Sequence, residues 1–130
     1  GTVMDLYPTI LSVAHVKAPK HYVLDGADLK KLLQGKEDKN HRDDFLMHFP
    51  HGEHRANYFT TYRKGDWKLI YYYNPETTGI PTWKLYNLKD DPYETSELSA
   101  KYPEKTASMI ELMKNRLTEE NALYPITENK

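Results

Sequence analysis

The sequence predicts an α+β fold, in which a small four-stranded antiparallel sheet packs against a C-terminal helix, with additional N-terminal helices. Three observations lead to this prediction. Between residues 45 and 88, short segments rich in aromatic residues and Thr alternate with Gly, Pro and Asp, as strands alternate with turns. The two residues Gly65 and Asp66, which lie between the second and third of these segments, suit a tight hairpin. After Pro103, apolar residues recur with the period of a helix.

An N-terminal helix is predicted to begin near Asp5. The carboxylate of Asp5 can cap the free amides of the first turn, and Pro8 falls in that turn, where a missing N–H costs nothing. The apolar residues that then share one face are Leu6, Ile10, Val13 and Ala14. The Pro-containing segment 18–20 ends this helix.

A second, short helix is predicted over residues 28–35, after a turn at residues 24–26. Asp28 stands near its start and Gly35 lies beyond its end, which are positions that these residue types favour at helix termini. Residues 35–42 are charged and carry no periodicity, so they predict a mobile loop.

The four predicted strands are residues 45–49, 57–63, 67–73 and 83–88. In the third strand, successive side chains point to opposite faces of the sheet, so the three Tyr residues at 71–73 are split between the two faces. This split favours packing of the rings over a single surface on which a sugar could stack. Trp83 is the better candidate for an exposed ring, because it follows a loop that contains Gly and Pro.

A final helix is predicted to begin at Pro103, since Pro is favoured at the first helical position. Its apolar stripe consists of Met109, Ile110, Met113 and Leu117, widened by Leu112. Such a stripe is typical of a helix that covers one face of a sheet.

Composition and charge exclude several classes of function. The 18 basic and 19 acidic residues give a net charge of −1, which lacks the basic character of a nucleic-acid-binding chain. No apolar run approaches the roughly 20 residues that span a bilayer. The absence of Cys excludes disulfides, thiolate metal sites and a cysteine nucleophile within these residues. The chain starts directly with a helix pattern and no signal peptide, which leaves the compartment of a parent protein open.

Five motifs follow one another in a specific order. They are Asp-Leu-Tyr-Pro-Thr at residues 5–9, Leu-Asp-Gly at 24–26, Arg-Lys-Gly-Asp-Trp-Lys-Leu-Ile at 63–70, Leu-Tyr-Asn-Leu at 85–88 and Asp-Asp-Pro-Tyr-Glu-Thr at 90–95. Each motif alone is weak, but their order and spacing resemble the C-terminal end of a sulfatase, in the alkaline-phosphatase-like superfamily. The resemblance covers most of the chain.

The resemblance implies an enzyme whose reactive centre lies elsewhere. Sulfatases are sulfuric-ester hydrolases that use a formylglycine, made from Cys or Ser in a Cys/Ser-x-Pro/Ala-x-Arg motif, beside a calcium ion. This sequence contains no Cys and no Ser that begins such a motif, so no catalytic or metal residue is assigned to it. Calcium and formylglycine are therefore expected in the parent enzyme, and the isolated chain is expected to be inactive.

The resemblance also implies partners and a location. Residues 1–35 would be a helical segment that borders a missing N-terminal catalytic domain, and residues 42–124 would form the sheet and its covering helix. The substrate would be a sulfated carbohydrate, with no nucleic-acid or membrane partner. A periplasmic or secreted location is typical of the family, although these residues alone leave the location unknown.

One cluster of residues indicates substrate binding. His48, His51, His54 and Arg55 fall close together among Pro and Gly, as in a loop at the end of a strand. Some carbohydrate-directed sulfatases carry a similar His-(Phe/Tyr)-Pro-His element that faces the substrate cleft, and His and Arg donate hydrogen bonds to sulfate oxygens and hydroxyls. Two alternatives stay open: a polar loop whose His residues face water or the backbone, and a metal site, although the spacing fits neither a helical pair nor a zinc finger.

Other functions share single features with this sequence. A free-standing module that binds glycans or proteins is consistent with the 11 Tyr residues and the His cluster. A related phosphodiesterase or phosphonate hydrolase would differ from a sulfatase only in residues outside this chain. His41-Arg42-Asp43 resembles a kinase catalytic loop, but such a loop needs an Asn at position 48, which is His. Asp44 with its neighbour Asp43 is predicted to be a solvated pair and not acid–base machinery.

Overall fold

The computed structural model describes residues 1–39, 41–50, 58–73 and 82–124. The chain divides into two compact units, Gly1–Arg42 and Asp43–Lys130. Among the residues described, no helix is both long enough and apolar enough to span a bilayer.

The first unit contains a 3-10 helix at Val3–Asp5 and helix α1 at Leu6–Val13. The N-terminal helix is thus confirmed, but the predicted capping role of Asp5 is wrong, because its carboxylate makes no hydrogen bond to the amides of α1. Asp5 has a helical backbone, with φ −75° and ψ −16°, whereas a capping residue is extended. Its side chain is therefore directed away from the first turn of α1.

The apolar face of α1 lies open. The side chains of Leu6, Ile10 and Val13 are 56%, 63% and 57% exposed. Apolar residues on one face of a helix are normally covered by another element. No element in the described part of the chain covers these three side chains as fully as is usual for the apolar face of a helix.

The second helix of this unit, α2, is shorter than the sequence predicts and spans Lys30–Leu33. The residues predicted to mark its two ends nevertheless do so. The Asp28 carboxylate accepts a hydrogen bond from the Lys30 amide at 2.8 Å, and Gly35 ends the turn with φ +71°. Gly adopts this left-handed conformation without the steric cost that other residues bear.

The second unit contains the predicted four-stranded antiparallel sheet, in the order β1-β2-β3-β4. Its strands are β1 Asp44–Phe49, β2 Phe59–Lys64, β3 Trp67–Tyr72 and β4 Trp83–Asn87. Gly65 and Asp66 join β2 to β3, with Gly65 at φ +56°, so the predicted hairpin is confirmed. The predicted first residue of the second strand, Asn57, lies outside the described residues.

Helix α3, Pro103–Glu119, covers one face of this sheet. The buried core is formed by Tyr62, Leu69 and Leu85 from the strands and by Met109, Met113 and Leu117 from the helix. Ile110 and Leu112 pack against this cluster from the sides of the stripe. The α+β class and the apolar stripe after Pro103 are both confirmed.

The free edge of β4 is partly closed by the segment that follows it. The Leu98 amide donates to the Leu85 carbonyl at 2.9 Å, and the Leu85 amide donates to Glu97 Oε1 at 2.9 Å. The same carboxylate oxygen accepts the Ser99 amide at 2.7 Å. Partial burial raises the pKa of Glu97, but the hydrogen bonds from these amides outweigh it and leave the pKa below its usual value.

Candidate functional site

His48 joins three parts of the second unit at one end of the sheet. It lies in β1 opposite Thr60 of β2, and its Nδ1 is 2.7 Å from Thr60 Oγ1 and 3.2 Å from the hydroxyl of Tyr73. The hydroxyls of Thr60 and Tyr73 are themselves 2.7 Å apart. On the other side of the ring, Nε2 is 2.7 Å from the carbonyl oxygen of Leu123, beyond α3. These four groups are called the His48 network below.

The partners of the His48 ring determine where its proton lies. A carbonyl oxygen only accepts hydrogen bonds, so Nε2 must donate to Leu123 and carry the hydrogen. In the neutral ring Nδ1 is then an acceptor, and it receives a hydrogen bond from the hydroxyl of Thr60 or Tyr73. Both ring nitrogens are therefore used within the chain.

Tyr73 is kept protonated by its surroundings. Burial raises the pKa of its phenol, the hydrogen bond with Thr60 lowers it in part, and the neighbouring Tyr124 and Tyr71 raise it further. Its hydroxyl therefore remains a donor to a higher pH than that of an exposed Tyr. A phenol of lower pKa would lose this donor in alkaline solution.

Aromatic rings continue the network along the same end of the sheet. The centroid of His48 lies 5.9 Å from that of Tyr73 and 6.0 Å from that of Tyr124, both edge to face. Tyr71 contacts Tyr73 at 4.6 Å and stacks on Trp83 at 4.3 Å. Tyr71 and Trp83 are half-buried and pack against the core, so Trp83 is not the freely exposed ring that the sequence suggested.

Of the four residues predicted to bind substrate, the structure describes His48 alone. His51, His54 and Arg55 lie outside the described residues. The sequence missed the other members of the His48 network, because Thr60 and Leu123 are 12 and 75 residues away from His48. A hydrogen bond across that separation leaves no local pattern in the sequence.

A second polar group lies at the other end of the sheet. The Tyr62 hydroxyl donates to Asp44 Oδ2 at 3.1 Å, and Arg116 Nε lies 3.6 Å from the same oxygen. Burial, followed by the nearby charge of Asp44 and the hydrogen bond to it, raises the pKa of Tyr62 to about 12. Asp43 pairs instead with Lys64 at 3.5 Å. The two acids thus have separate cationic partners, and the predicted solvated pair is wrong for Asp44, whose side chain is only 12% exposed.

The first unit contains a buried polar cluster around Asp5. Its carboxylate accepts the Thr2 amide at 2.6 Å and the Ala27 amide at 2.8 Å. Thr9 donates its hydroxyl to the Asp5 carbonyl at 2.6 Å and accepts the Leu29 amide at 2.9 Å. The motif at residues 5–9 therefore holds the segment that contains Leu-Asp-Gly against α1, and these residues have a structural role.

Replacement of Asp5 by Asn is expected to destabilise this cluster by about 2 kcal/mol at pH 7, the scale for hydrogen bonds to a charged group. Burial raises the pKa of Asp5, but the amides of Ala27 and Thr2 outweigh it and lower the pKa from its usual 3.8. Because the pKa is lowered, the charged Asp5 stabilises the folded state at pH values above the usual pKa. That stabilisation is lost as the pH falls through the folded-state pKa.

The difference in stability between wild type and Asp5→Asn should accordingly become smaller below pH 3.8. Hydrogen-exchange protection of the Ala27 amide measures the loss of stability at pH 7. The same measurement at several pH values shows how that loss changes with pH. Asp25→Asn, at an exposed side chain of the same unit, is the matched control and should change protection little. Equal protection in Asp5→Asn and wild type at pH 7 would contradict the assigned role.

The residues described offer no evident place for a cation. Among them, no three His, Asp or Glu side chains come close enough together to hold a metal ion.

Comparison with known proteins identifies the family. Residues 2–122 match the family model described as N-sulphoglucosamine sulphohydrolase, C-terminal. The chain is 34% identical over 121 residues to an uncharacterized sulfatase of Schizosaccharomyces pombe, which corresponds to 85% of this chain and 20% of that protein. The chain thus spans about a fifth of the length of this relative.

Two solved structures are similar to this chain. BT4656, determined with its substrate D-glucosamine-2-N,6-O-disulfate, has a TM-score of 0.67 and 28% identity, over 88% of this chain and 23% of that one. The phosphonate monoester hydrolase of Agrobacterium radiobacter has a TM-score of 0.63 at 22% identity, over 88% and 24%, which shows a shared fold alone. The chain therefore belongs to the sulfatase family, as a C-terminal domain of the N-sulphoglucosamine sulphohydrolase type.

Proposed function

We propose that this chain is the C-terminal part of an enzyme that hydrolyses sulfate esters of a sulfated carbohydrate. The observation that carries this proposal is the family match over residues 2–122, because the similar proteins are sulfatases of about five times the length. Formylglycine and calcium would lie in the catalytic domain of the whole enzyme. We also propose a periplasmic or secreted location, as is typical of the family.

The first role proposed for this chain is to brace the catalytic domain. The support comes from α1, whose apolar side chains at Leu6, Ile10 and Val13 are more than half exposed. Covering them would gain roughly 25 cal/mol for each Å² of apolar surface removed from water. The N-terminal catalytic domain is the partner proposed to cover them, in keeping with the prediction that residues 1–35 border it.

The second proposed role is to shape the substrate cleft. His51, His54 and Arg55 follow β1 in the sequence, shortly after His48. A guanidinium presents paired N–H donors that match two oxygens of a sulfate group, and an imidazole can donate to a sugar hydroxyl. BT4656, whose substrate is a disulfated glucosamine, shares the fold of this chain at 28% identity. We therefore propose that these three residues contact a sulfated sugar.

Replacement of Arg55 by Ala in the whole enzyme tests this role. The KM for D-glucosamine-2-N,6-O-disulfate is expected to rise by about tenfold or more, which corresponds to the loss of one charge-assisted hydrogen bond. Turnover of a small aryl sulfate, which has no sugar to contact, should change little. Steady-state kinetics on both substrates measures the two effects.

The matched control is Arg63→Ala, an exposed arginine near the far end of β2. Its KM for the sulfated sugar should equal that of the wild type. An unchanged KM in Arg55→Ala, or an equal rise in both variants, would refute the proposed contact.

A second candidate activity is hydrolysis of phosphonate or phosphate esters. It is favoured by the fold shared with the Agrobacterium radiobacter hydrolase, at a TM-score of 0.63. Assay of the whole enzyme on a sulfate, a phosphonate monoester and a phosphate diester with the same aryl leaving group separates the two. A higher kcat/KM for either phosphorus ester would replace the sulfatase proposal.

A further inference from the structure

β1 forms an open edge of the four-stranded sheet. It is the first strand in the order β1-β2-β3-β4 and pairs with β2 on one side. The Gly65 amide donates to the Asp43 carbonyl at 3.2 Å, and in an antiparallel ladder every second residue from there on bonds to β2. The amides and carbonyls of Leu46 and His48 therefore point outward, away from β2. Within the described part of the chain, these groups have no hydrogen-bond partner.

The two edges of the sheet differ in how they are protected. At β4, the amide and carbonyl of Leu85 are occupied by Glu97 and Leu98. Proteins commonly guard an open edge with Lys, Pro or a β-bulge. Residues 45–49 of β1 contain neither Lys nor Pro, and β1 pairs with β2 over consecutive residues from Asp44 to Phe49 without a bulge. β1 thus keeps the regular outward groups that a further strand needs.

Apolar side chains of β1 lie at the surface of the sheet face opposite α3. Strand alternation places Phe45, Met47 and Phe49 on this face, because Leu46 packs against the core beneath α3. Met47 and Phe49 are 46% and 39% exposed, and the ring centroids of Phe49 and Phe59 are 5.8 Å apart. A strand added beside β1 would remove part of this apolar surface from water, which is favourable.

The sequence of β1 is complementary to itself. In an antiparallel pair of two copies centred on Leu46, Phe45 lies opposite the partner's Met47, so apolar side chains meet. Asp44 lies opposite the partner's His48, so no two like charges meet directly across the pair. The two Leu46 residues, whose amides and carbonyls point outward, lie opposite each other and can exchange two hydrogen bonds.

We propose that β1 pairs with β1 of a second copy, so that two four-stranded sheets join into one continuous antiparallel sheet in a homodimer of the whole protein. Such a two-fold pair is closed, because the same strand is used by both copies and neither keeps that edge open for a third. The inference concerns assembly, and it does not depend on the proposed sulfatase activity.

Replacement of Leu46 by Pro tests the pairing. Pro is tolerated on an edge strand where its nitrogen faces outward, so the ladder to β2 should survive. The variant lacks the two hydrogen bonds between the Leu46 residues, and we expect the Kd of the dimer to rise about tenfold or more. Analytical ultracentrifugation of the whole protein measures this Kd.

The matched control is Leu46→Ala, which also loses packing against the core but keeps the outward amide. Its Kd should stay near that of the wild type. A monomeric wild-type protein, or the same Kd in Leu46→Pro and Leu46→Ala, would overturn the proposal.

A charge exchange at Met47 identifies the partner strand and gives a second test if Leu46→Pro fails to fold. In the proposed pair the two Met47 side chains lie diagonally across the join on one face, within reach of long side chains. Met47→Lys and Met47→Glu should each dimerise more weakly than the wild type, because like charges meet. An equimolar mixture of the two variants should dimerise more strongly than either alone. A mixture that dimerises no better than the separate variants would contradict the pairing.

Hydrogen exchange of the Leu46 amide distinguishes a second copy from a strand of the same polypeptide. Protection that is lost when the whole protein is diluted below the Kd supports the dimer. Protection that persists in the monomer would show that another segment covers the edge, and rapid exchange at every concentration would show that nothing does; either result overturns the proposal. A lack of sulfatase activity would remove the proposed function and leave this test unaffected.

Discussion

Gly26→Ala is expected to destabilise the first unit by about 3 kcal/mol, the upper part of the range for overpacking a buried site. A Cβ at this position would overlap the carbonyl oxygen and carbon of Met4 and lie 2.7 Å from the amide nitrogen of Asp5. These are backbone atoms, so no rotamer change can relieve the overlap. The displaced backbone carries the Asp5 carboxylate, and its hydrogen bond to Ala27 should weaken with it.

Hydrogen exchange of the Ala27 and Leu29 amides measures this loss locally, because both amides donate to the Asp5 cluster. Gly35→Ala is the control in the same unit: its Cβ would meet nothing within 4 Å, and only its φ of +71° opposes the change. That conformation costs about 1 kcal/mol for a residue other than Gly. Similar hydrogen-exchange protection in Gly26→Ala and wild type would contradict the close approach of residue 26 to the Met4 backbone.

Leu69→Ala is expected to lower the free energy of unfolding of the sheet unit by about 3 kcal/mol. Leu69 is 0% exposed and lies in β3 among Tyr62, Leu85 and the methionines of α3. Truncation removes buried apolar surface and leaves a cavity that strands on both sides prevent from closing. The variant should therefore fold into the same sheet with reduced stability.

Denaturant unfolding followed by tryptophan fluorescence measures this change, since both Trp residues of the chain, at 67 and 83, pack against that core. Leu123→Ala provides the matched control, because the Leu123 side chain is 81% exposed. It should change the stability by less than about 0.5 kcal/mol. Equal losses in the two variants would contradict the assigned core.

The elements that local rules govern were predicted well. The Gly65-Asp66 turn, the start of α3 at Pro103 and the buried stripe through Met109, Met113 and Leu117 each depend on residues close in sequence. Periodicity and turn chemistry therefore suffice to locate them. The α+β class follows from the order of these elements.

The roles of polar side chains were harder to predict. The sequence suggests that Asp5 caps the helix beside it, but the Asp5 carboxylate accepts the amide of Ala27, which is 22 residues away. The sequence groups His48 with its neighbours, whereas the structure gives it hydrogen-bond partners that lie 12 and 75 residues away. Such partners are brought together only by the tertiary fold, so spacing along the chain does not reveal them.

The hydrogen bond of Glu97 at the outer edge of β4 affects how readily the protein can associate with itself. An uncovered outer strand offers a row of amides and carbonyls that can recruit a strand from another molecule, which is a route to fibril-like aggregates. By holding the Leu85 amide at 2.9 Å, the carboxylate occupies a group that an incoming strand would need. Protein that carries Ala at position 97 lacks this acceptor, and it would be the first place to look for concentration-dependent assembly.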